Sequence, residues 1–154
     1  MPAVMNHVHH QIRVDAPIER AFALACQADR QHEWNPYMTC FHLSGPLDRP
    51  GTAYDVVFDM RGQSTPFRAT VAEATPPKLL HIHLSGDKGN ADWFYRFEPS
   101  DGGTSFTIDV DYEKEGLFAG VVDKLSYHAG LDGAVRHIVE SFAAMAAAKT
   151  PTPA

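Results

Sequence analysis

Several absences in this sequence narrow the class of protein that it encodes. The chain has only two cysteines, Cys26 and Cys40, which make neither a disulfide framework nor a zinc-binding spacing. Its 13 lysines and arginines are outnumbered by 19 acidic residues, so no positive stripe is expected for a nucleic-acid backbone. No window approaches the roughly 18 consecutive apolar residues of a spanning helix, and the N-terminus lacks a signal-peptide pattern. We therefore predict a cytoplasmic protein with no nucleic-acid partner and no integral membrane association.

Motifs for cofactors and metals are missing as well. The chain contains no phosphate-binding glycine loop, no dinucleotide fingerprint and no serine-nucleophile elbow. It has nine histidines, and the pairs His7/His9 and His81/His83 have the spacing that puts both rings on one strand face. Both pairs fall on the face predicted to point outward, and no carboxylate or cysteine completes either pair at a recognisable spacing along the chain. We predict no cofactor and no metal.

The apolar content, by contrast, is sufficient for one core. A chain of 154 residues that is 44% hydrophobic fits a single globular domain, and neither an internal repeat nor an interdomain linker interrupts it. The last residues alternate threonine and proline without apolar periodicity. We predict one domain over residues 1–149 and a disordered tail over residues 150–154.

Alternation of apolar and polar residues predicts seven strands of an antiparallel sheet with one buried face. The first strand covers Val8 to Val14, with His10 on the inward face, and the second covers Tyr37 to Leu43. Asp109 and Asp111 fall on the outward face of the last strand, where we expect them to be solvated. The inward residues of the remaining five strands are Tyr54, Val56, Phe58, Met60, Phe67, Ala69, Val71, Leu80, Ile82, Leu84, Trp93, Tyr95, Phe97, Phe106, Ile108, Val110 and Tyr112.

Helical periodicity occurs in three places. A short helix is predicted from Ile18 to Gln27 and a further helical turn from Asp29 to Glu33, both between the first two strands. Apolar residues at offsets of three and four then predict one long helix from Leu117 to Met145. The fold class is therefore α+β, with a curved sheet closing around a C-terminal helix.

Several local strings, in this order and spacing, resemble a known superfamily. They are the run from Ile12 to Pro17 leading into Ala21 and Phe22, the run from Trp34 to Tyr37, the strand exit from Val71 to Pro77, and the run from Tyr95 to Pro99 followed by Gly103 and Thr104. The chain resembles the START/SRPBCC superfamily and, within it, the polyketide cyclase/dehydrase-like helix-grip proteins. The resemblance implies a seven-stranded antiparallel sheet around the C-terminal helix, two small helices after strand 1, and a hydrophobic cavity between sheet and helix.

A hydrophobic cavity of this kind would bind a ligand, and we therefore predict a binding function. The partner would be a small hydrophobic molecule, such as a lipid, a polyketide or another aromatic or cyclic compound, oriented by a few polar groups. The residues predicted to contact it are Tyr54, Phe58, Phe67, Ile82, Trp93, Tyr95, Val110, Tyr112, Phe118, Leu125 and His128.

Two other classes of function stay open. Members of the resembled group include aromatase/cyclases, and the candidate acid and base groups here are His128, Tyr112, His10 and Tyr95. Because Arg61, Arg68 and Arg96 fall at a strand end or in the outward phase, the cavity lacks a cationic anchor, which weakens the enzymatic interpretation. An apolar outer patch of Phe94, Val57 and Leu79 leaves a protein partner as the third class.

Overall fold

A computed structural model describes residues 5–60, 62–87, 89–113 and 124–147 of the chain. Its strands form one antiparallel sheet in the order β1-β7-β6-β5-β4-β3-β2, so β1 and β2 are the two edges. The elements along the chain are β1 (Met5–Val14), α1 (Ile18–Ala25), a 3-10 helix (Ala28–Glu33), β2 (Met38–Phe41), β3 (Ala53–Met60), β4 (Gln63–Thr75), β5 (Leu79–Gly86), β6 (Gly89–Ser100), β7 (Gly103–Glu113) and α2 (Lys124–Ala147).

Burial along the strands follows the alternation predicted from the sequence. In β3, for example, Tyr54, Val56, Phe58 and Met60 are buried, and the residues between them are half-buried or exposed. Every inward position predicted for β3 to β7 is buried. The pleat places successive side chains on opposite faces, so a period of two is sufficient to assign each residue to a face. The predicted seven-stranded sheet is confirmed.

The helix α2 lies on the buried face of this sheet. It contacts β1 and β7 on one side and β3 toward the other edge, as expected when a sheet curves around a helix. Its buried side is formed by Leu131, Ala134, Val135, Ile138, Val139, Phe142 and Ala146. The first turns of the predicted helix, residues 117–123, lie outside the described residues. Among the described helices, none is long and apolar enough to cross a membrane.

The two short helices after β1 also form: the first is two residues shorter than predicted, and the second begins one residue earlier than predicted. Pro17 precedes α1 with φ −62° and ψ 152°, so it is the N-cap residue and the helix proper begins at Ile18. The second segment is a 3-10 helix that ends before Trp34, consistent with the restriction that Pro36 places on the residue preceding it. Together these helices deliver Phe22 and Trp34 to the interior.

The outward face of the sheet is less exposed than the sequence indicates. Asp109, which we expected to be solvated, is only 9% exposed. The reason is its place in the sheet: β7 has β1 on one side and β6 on the other, so His9 and Arg96 reach over its carboxylate and hydrogen-bond to it. Asp111, one pleat further along, is half-buried. The expectation of a solvated acidic face was therefore wrong for Asp109.

Candidate functional site

An apolar pocket lies between α2 and one end of the sheet, near the β3–β4 and β5–β6 turns. The space between its walls, including the mouth, is about 270 Å³, of which about 20 Å³ is open to the centre of a water molecule. A void of that size holds about one water molecule. The lining residues are Phe58, Phe67, Leu84, Ala91, Trp93, Val110, Tyr112, Tyr127 and Leu131.

The opposite end of the same interior is filled by aromatic rings. Phe142 of α2 stacks on Phe106 with ring centroids 4.2 Å apart and meets Trp34 edge-on at 5.0 Å. Phe22 of α1 meets Phe97 edge-on at 5.4 Å. Edge-to-face and offset contacts at these separations are the favourable arrangements of aromatic pairs. The predicted cavity therefore does not extend along the whole described helix, because rings occupy this end.

Tyr112, which lines the pocket, is hydrogen-bonded to His128, a predicted contact residue that does not itself line the pocket. The Tyr112 hydroxyl lies 2.6 Å from Nδ1 of His128, and their rings stack with centroids 6.0 Å apart. Burial, with a smaller contribution from the neighbouring Tyr127, raises the pKa of Tyr112 to about 12, although a hydrogen bond from Asn6 opposes this shift. The phenol is therefore protonated at neutral pH and able to donate a hydrogen bond.

Two other predicted tyrosines lie toward the filled end. The ring of Tyr95 is 6.4 Å from those of Trp34 and Phe106, and Tyr54 is buried nearby on β3. Burial raises the pKa of both phenols well above the ordinary value, with a smaller contribution from Cys40. The Cys40 thiol in turn donates to Gln31 Oε1 at 2.8 Å. Neither tyrosine lines the pocket.

The remaining catalytic candidate, His10, links the sheet to the helix. Its Nε2 donates to Asp132 Oδ1 of α2 at 3.0 Å, and both side chains are partly exposed. His10 is not among the residues that line the pocket. Of the four candidate acid and base groups, the structure therefore brings together Tyr112 and His128, and it places His10 and Tyr95 elsewhere.

The predicted contact residues are divided between the pocket and its surroundings. Ile82 is buried opposite Trp93 in the β5–β6 register but does not line the pocket, and Phe118 and the side chain of Leu125 lie outside the described part of the chain. The predicted residues that do line it are Phe58, Phe67, Trp93, Val110 and Tyr112.

Four residues that line the pocket were not predicted from the sequence: Leu84, Ala91, Tyr127 and Leu131. Leu84 and Leu131 already had the correct phase for an inward position, so only their place along the strand or helix was unknown. Ala91 precedes the predicted start of its strand, and Tyr127 lies outside the apolar stripe of the helix. Nothing in the local pattern distinguishes these two as pocket residues.

Donor groups for a metal lie on the outer face of the sheet. Among the described residues, the only group of three or more that could hold an ion is His7, His9 and Asp109, and none of them lines the pocket. The spacing along the sequence offered no carboxylate to complete the histidine pair, whereas pairing of β1 with β7 supplies one.

Comparison with known proteins agrees with this architecture. A model of the family described as polyketide cyclase/dehydrase and lipid transport matches residues 5–147. No curated protein matches the chain.

Solved structures with the same fold come from distant relatives. The aromatase/cyclase Zhui from Streptomyces is 14% identical, with 93% of this chain and 94% of that chain covered and a TM-score of 0.75. A protein of Thermus thermophilus is 17% identical, with coverage of 92% and 97% and a TM-score of 0.73. The major latex-like protein 151 of Panax ginseng is 12% identical, with coverage of 92% and 97% and a TM-score of 0.69. At these identities the similarity establishes the fold alone, a helix-grip sheet around a C-terminal helix.

Proposed function

The chain belongs to the polyketide cyclase/dehydrase and lipid transport family, and from this premise we propose that it binds a small apolar molecule between α2 and the open end of the sheet. The observation that carries the proposal is the pocket itself, which has apolar walls and a polar group at one edge. Such a combination is typical of sites that bind small hydrophobic molecules, because the walls supply affinity and the polar group supplies orientation.

The composition of the walls favours a ligand with a ring. Phe58 and Trp93 face each other at 6.2 Å between ring centroids with their planes tilted by 55°, and Phe67 lies beside them. Val110 lies beside Trp93 as its cross-strand partner, and Leu131 covers the pocket from the helix. Aromatic rings together with aliphatic side chains suit a flat or cyclic molecule better than an extended polar one.

Binding requires the pocket to widen. The void open to water is about 20 Å³, whereas a typical ligand pocket has a volume of roughly 300–1,000 Å³. Tyr127 is the lining residue nearest the start of α2 and is only half-buried, and its ring lies 5.9 Å from that of Tyr112. We propose that the ligand displaces the Tyr127 ring and takes the space beside Tyr112.

The polar edge would orient the ligand. With its pKa raised to about 12 by burial, Tyr112 keeps its proton near neutrality. It can therefore give up its hydrogen bond with His128 and donate one to a carbonyl or phenol oxygen of a bound molecule instead. An apolar molecule with one oxygen at its end is the class that this arrangement fits best.

The test is a binding measurement with two alanine-to-leucine variants. Naringenin and palmitate are titrated while tryptophan fluorescence is followed; Trp93 lines the pocket and Trp34 lies at the filled end. Ala91→Leu fills the pocket and is expected to weaken binding at least tenfold. Ala144→Leu, on the exposed side of α2, is the matched control and is expected to bind as the wild type does. Equal affinity in both variants, or no saturable binding of either compound, would contradict the proposal.

A second candidate, cyclase or dehydratase activity, is favoured by the contact between Tyr112 and His128. Enolisation and loss of water require a proton donor and a proton acceptor within reach of the substrate; Tyr112 lines the pocket, and His128 is hydrogen-bonded to it. Against this, Arg68 and Arg96 pair with Asp55 and Asp109 on the outer face, and no described arginine lines the pocket. Among the described residues that line the pocket, none offers a cationic anchor to a carrier-bound or anionic chain, so we place this candidate second.

Kinetics with a cyclic ketone or an aromatic polyketide tests the second candidate. Tyr112→Phe and His128→Gln are each expected to lower turnover by 10²–10⁴, the usual contribution of a positioned acid or base. Rates unchanged in both variants would remove these residues from any mechanism and leave binding as the function.

A further inference from the structure

The outer face of the sheet carries a cluster of polar residues that the interior pocket does not involve. Where β1 pairs with β7, His7 lies directly opposite Asp111 and His9 directly opposite Asp109. Residues two apart on a strand share a face, so all four side chains project from the same side. The cluster therefore joins an edge strand to its neighbour through four potential metal ligands.

The donor atoms of three of these residues converge on one point. His7 Nε2 lies 3.1 Å from Asp109 Oδ1, and His9 Nδ1 lies 2.5 Å from the same oxygen. One ligand atom from each of His7, His9 and Asp109 falls within 4.8 Å of the others. Two imidazole nitrogens directed at a single carboxylate oxygen form three corners of a coordination site.

The remaining contacts hold these groups in place. His7 Nδ1 donates to Asp111 Oδ1 at 2.6 Å, which leaves Nε2 as the nitrogen that faces Asp109. Arg96 donates to Oδ2 of Asp109, the oxygen not shared by the histidines, and Asp109 is only 9% exposed. Metal-ligating histidines commonly donate their second nitrogen to a carboxylate, and ligating carboxylates are themselves hydrogen-bonded. The cluster has both of these supporting contacts.

We propose that His7, His9 and Asp109 form a binding site for a divalent transition-metal ion of the zinc type. Two imidazoles and one carboxylate suit zinc, nickel or copper, whereas magnesium and calcium prefer oxygen ligands alone. The ion takes the place of the protons that both histidines now direct at Asp109, since a ligating imidazole must be neutral. The fourth position is left to water or to a ligand from outside.

The geometry needs only a small adjustment to accept the ion. Zinc holds histidine nitrogen at about 2.0–2.1 Å and carboxylate oxygen at about 2.0–2.2 Å, which separates tetrahedral donors by roughly 3.3 Å. The donors here are 3.1 Å and 2.5 Å from the shared oxygen. His7 and His9 have side chains that are 53% and 54% exposed, so their rings can move outward while the buried Asp109 stays in place.

A second cluster of the same residue types offers a matched control. His81 Nε2 and His83 Nδ1 donate to Asp92 Oδ1 at 2.8 Å and 2.9 Å, further along the same face. Burial of Asp92 opposes its ionisation, but the two histidine hydrogen bonds outweigh burial and its pKa is lowered. His81 is also stacked on Phe94 at 4.1 Å, which restricts its ring. Among the described residues, only the donor atoms of His7, His9 and Asp109 converge closely enough to hold an ion, so the donors of this second cluster do not.

The experiment is a calorimetric titration of untagged, chelator-stripped full-length protein with zinc chloride near neutral pH. We expect one zinc ion bound per chain, with affinity reduced at least tenfold in His9→Gln and unchanged in His83→Gln. Because an ion that binds only the folded state raises the melting temperature by mass action, zinc should raise it in the wild type and not in His9→Gln.

X-ray absorption at the zinc edge provides the second readout. The bound ion should have a first shell of nitrogen and oxygen only, at about 2.0–2.1 Å. Absence of saturable binding to the wild type, equal loss in His9→Gln and His83→Gln, or a shell containing sulfur from Cys26 or Cys40 would each overturn the proposal. These outcomes are independent of whether the interior pocket binds its ligand.

Discussion

The two ends of the interior between α2 and the sheet are built from the same kinds of residue and yet differ in packing. At one end Phe142 and Phe106 stack at 4.2 Å, and Trp34 closes over Phe142 at 5.0 Å. At the other end Phe58 and Trp93 are 6.2 Å apart and a void remains beside them. Both ends have aromatic residues on the sheet and apolar residues on the helix.

The difference comes from the short helices rather than from the sheet. Phe22 of α1 and Trp34, directly after the 3-10 helix, insert rings between the sheet and α2 at the filled end. None of the pocket-lining residues comes from either short helix. A helix and a curved sheet therefore leave a gap between them unless a third element fills it, and the position of that third element decides which end keeps the gap.

The largest expected effect comes from removing a ring at the filled end. Phe142→Ala should lower the free energy of unfolding by about 3–5 kcal/mol, because it leaves a cavity among closely packed rings. Leu131→Ala, at the pocket, should cost about 2 kcal/mol, the low end for leucine, since its neighbours already border a void. Urea denaturation of both variants measures the contrast. Equal costs would mean that the two ends are packed alike.

Adding bulk should give the opposite contrast. Ala21→Leu in α1, where Ala21 is fully buried, should cost about 1–3 kcal/mol through overpacking. Ala91→Leu should cost less than Ala21→Leu, because part of the added side chain can enter the void beside Ala91. Thermal unfolding of the two variants side by side checks this prediction, and a larger loss for Ala91→Leu would contradict the difference between the two ends.

Removing the polar group at the pocket edge should have a moderate effect. Tyr112→Phe loses the hydrogen bonds that its hydroxyl makes with His128 and Asn6, and should lower stability by about 1 kcal/mol. Tyr95→Phe, at the filled end, is the control, because Tyr95 packs against Trp34 and Phe106 and does not line the pocket. Chemical denaturation of both variants measures the difference, and a larger loss for Tyr95→Phe would show that its hydroxyl is the more important of the two.

The smallest effect concerns pH and involves the outer face alone. The hydrogen bond from His7 to Asp111 is the main reason that the pKa of His7 lies above 6.5, although burial opposes the shift. A group whose pKa is raised on folding stabilises the protein below its unfolded pKa, and this stability is lost as the pH rises through the folded value. In the presence of a chelator, His7→Gln should therefore flatten the decline in melting temperature as the pH rises above about 6.5. The effect should be small because His7 is over half exposed; an unchanged pH profile would show that the contact contributes nothing.

The fold was predictable because its signals are local. Alternation with a period of two assigned Tyr54, Phe97 and Ile108 to the buried face, since the pleat alone decides this. The spacing of Leu131, Val135 and Phe142 likewise placed them on the buried side of one helix. The candidate site was less predictable, because the same pattern marks Tyr95, which lies toward the filled end, and Trp93, which lines the pocket.

The sequence by itself determined the number of strands, the face of each side chain and the long helix that the sheet grips, since each follows from the repeat of neighbouring residues. Only the tertiary structure decided which end of the interior is filled, that Tyr112 meets His128, and that His9 meets an aspartate 100 residues away. The physical reason is that strand register and helix placement, which no local pattern encodes, bring together side chains that are distant along the chain.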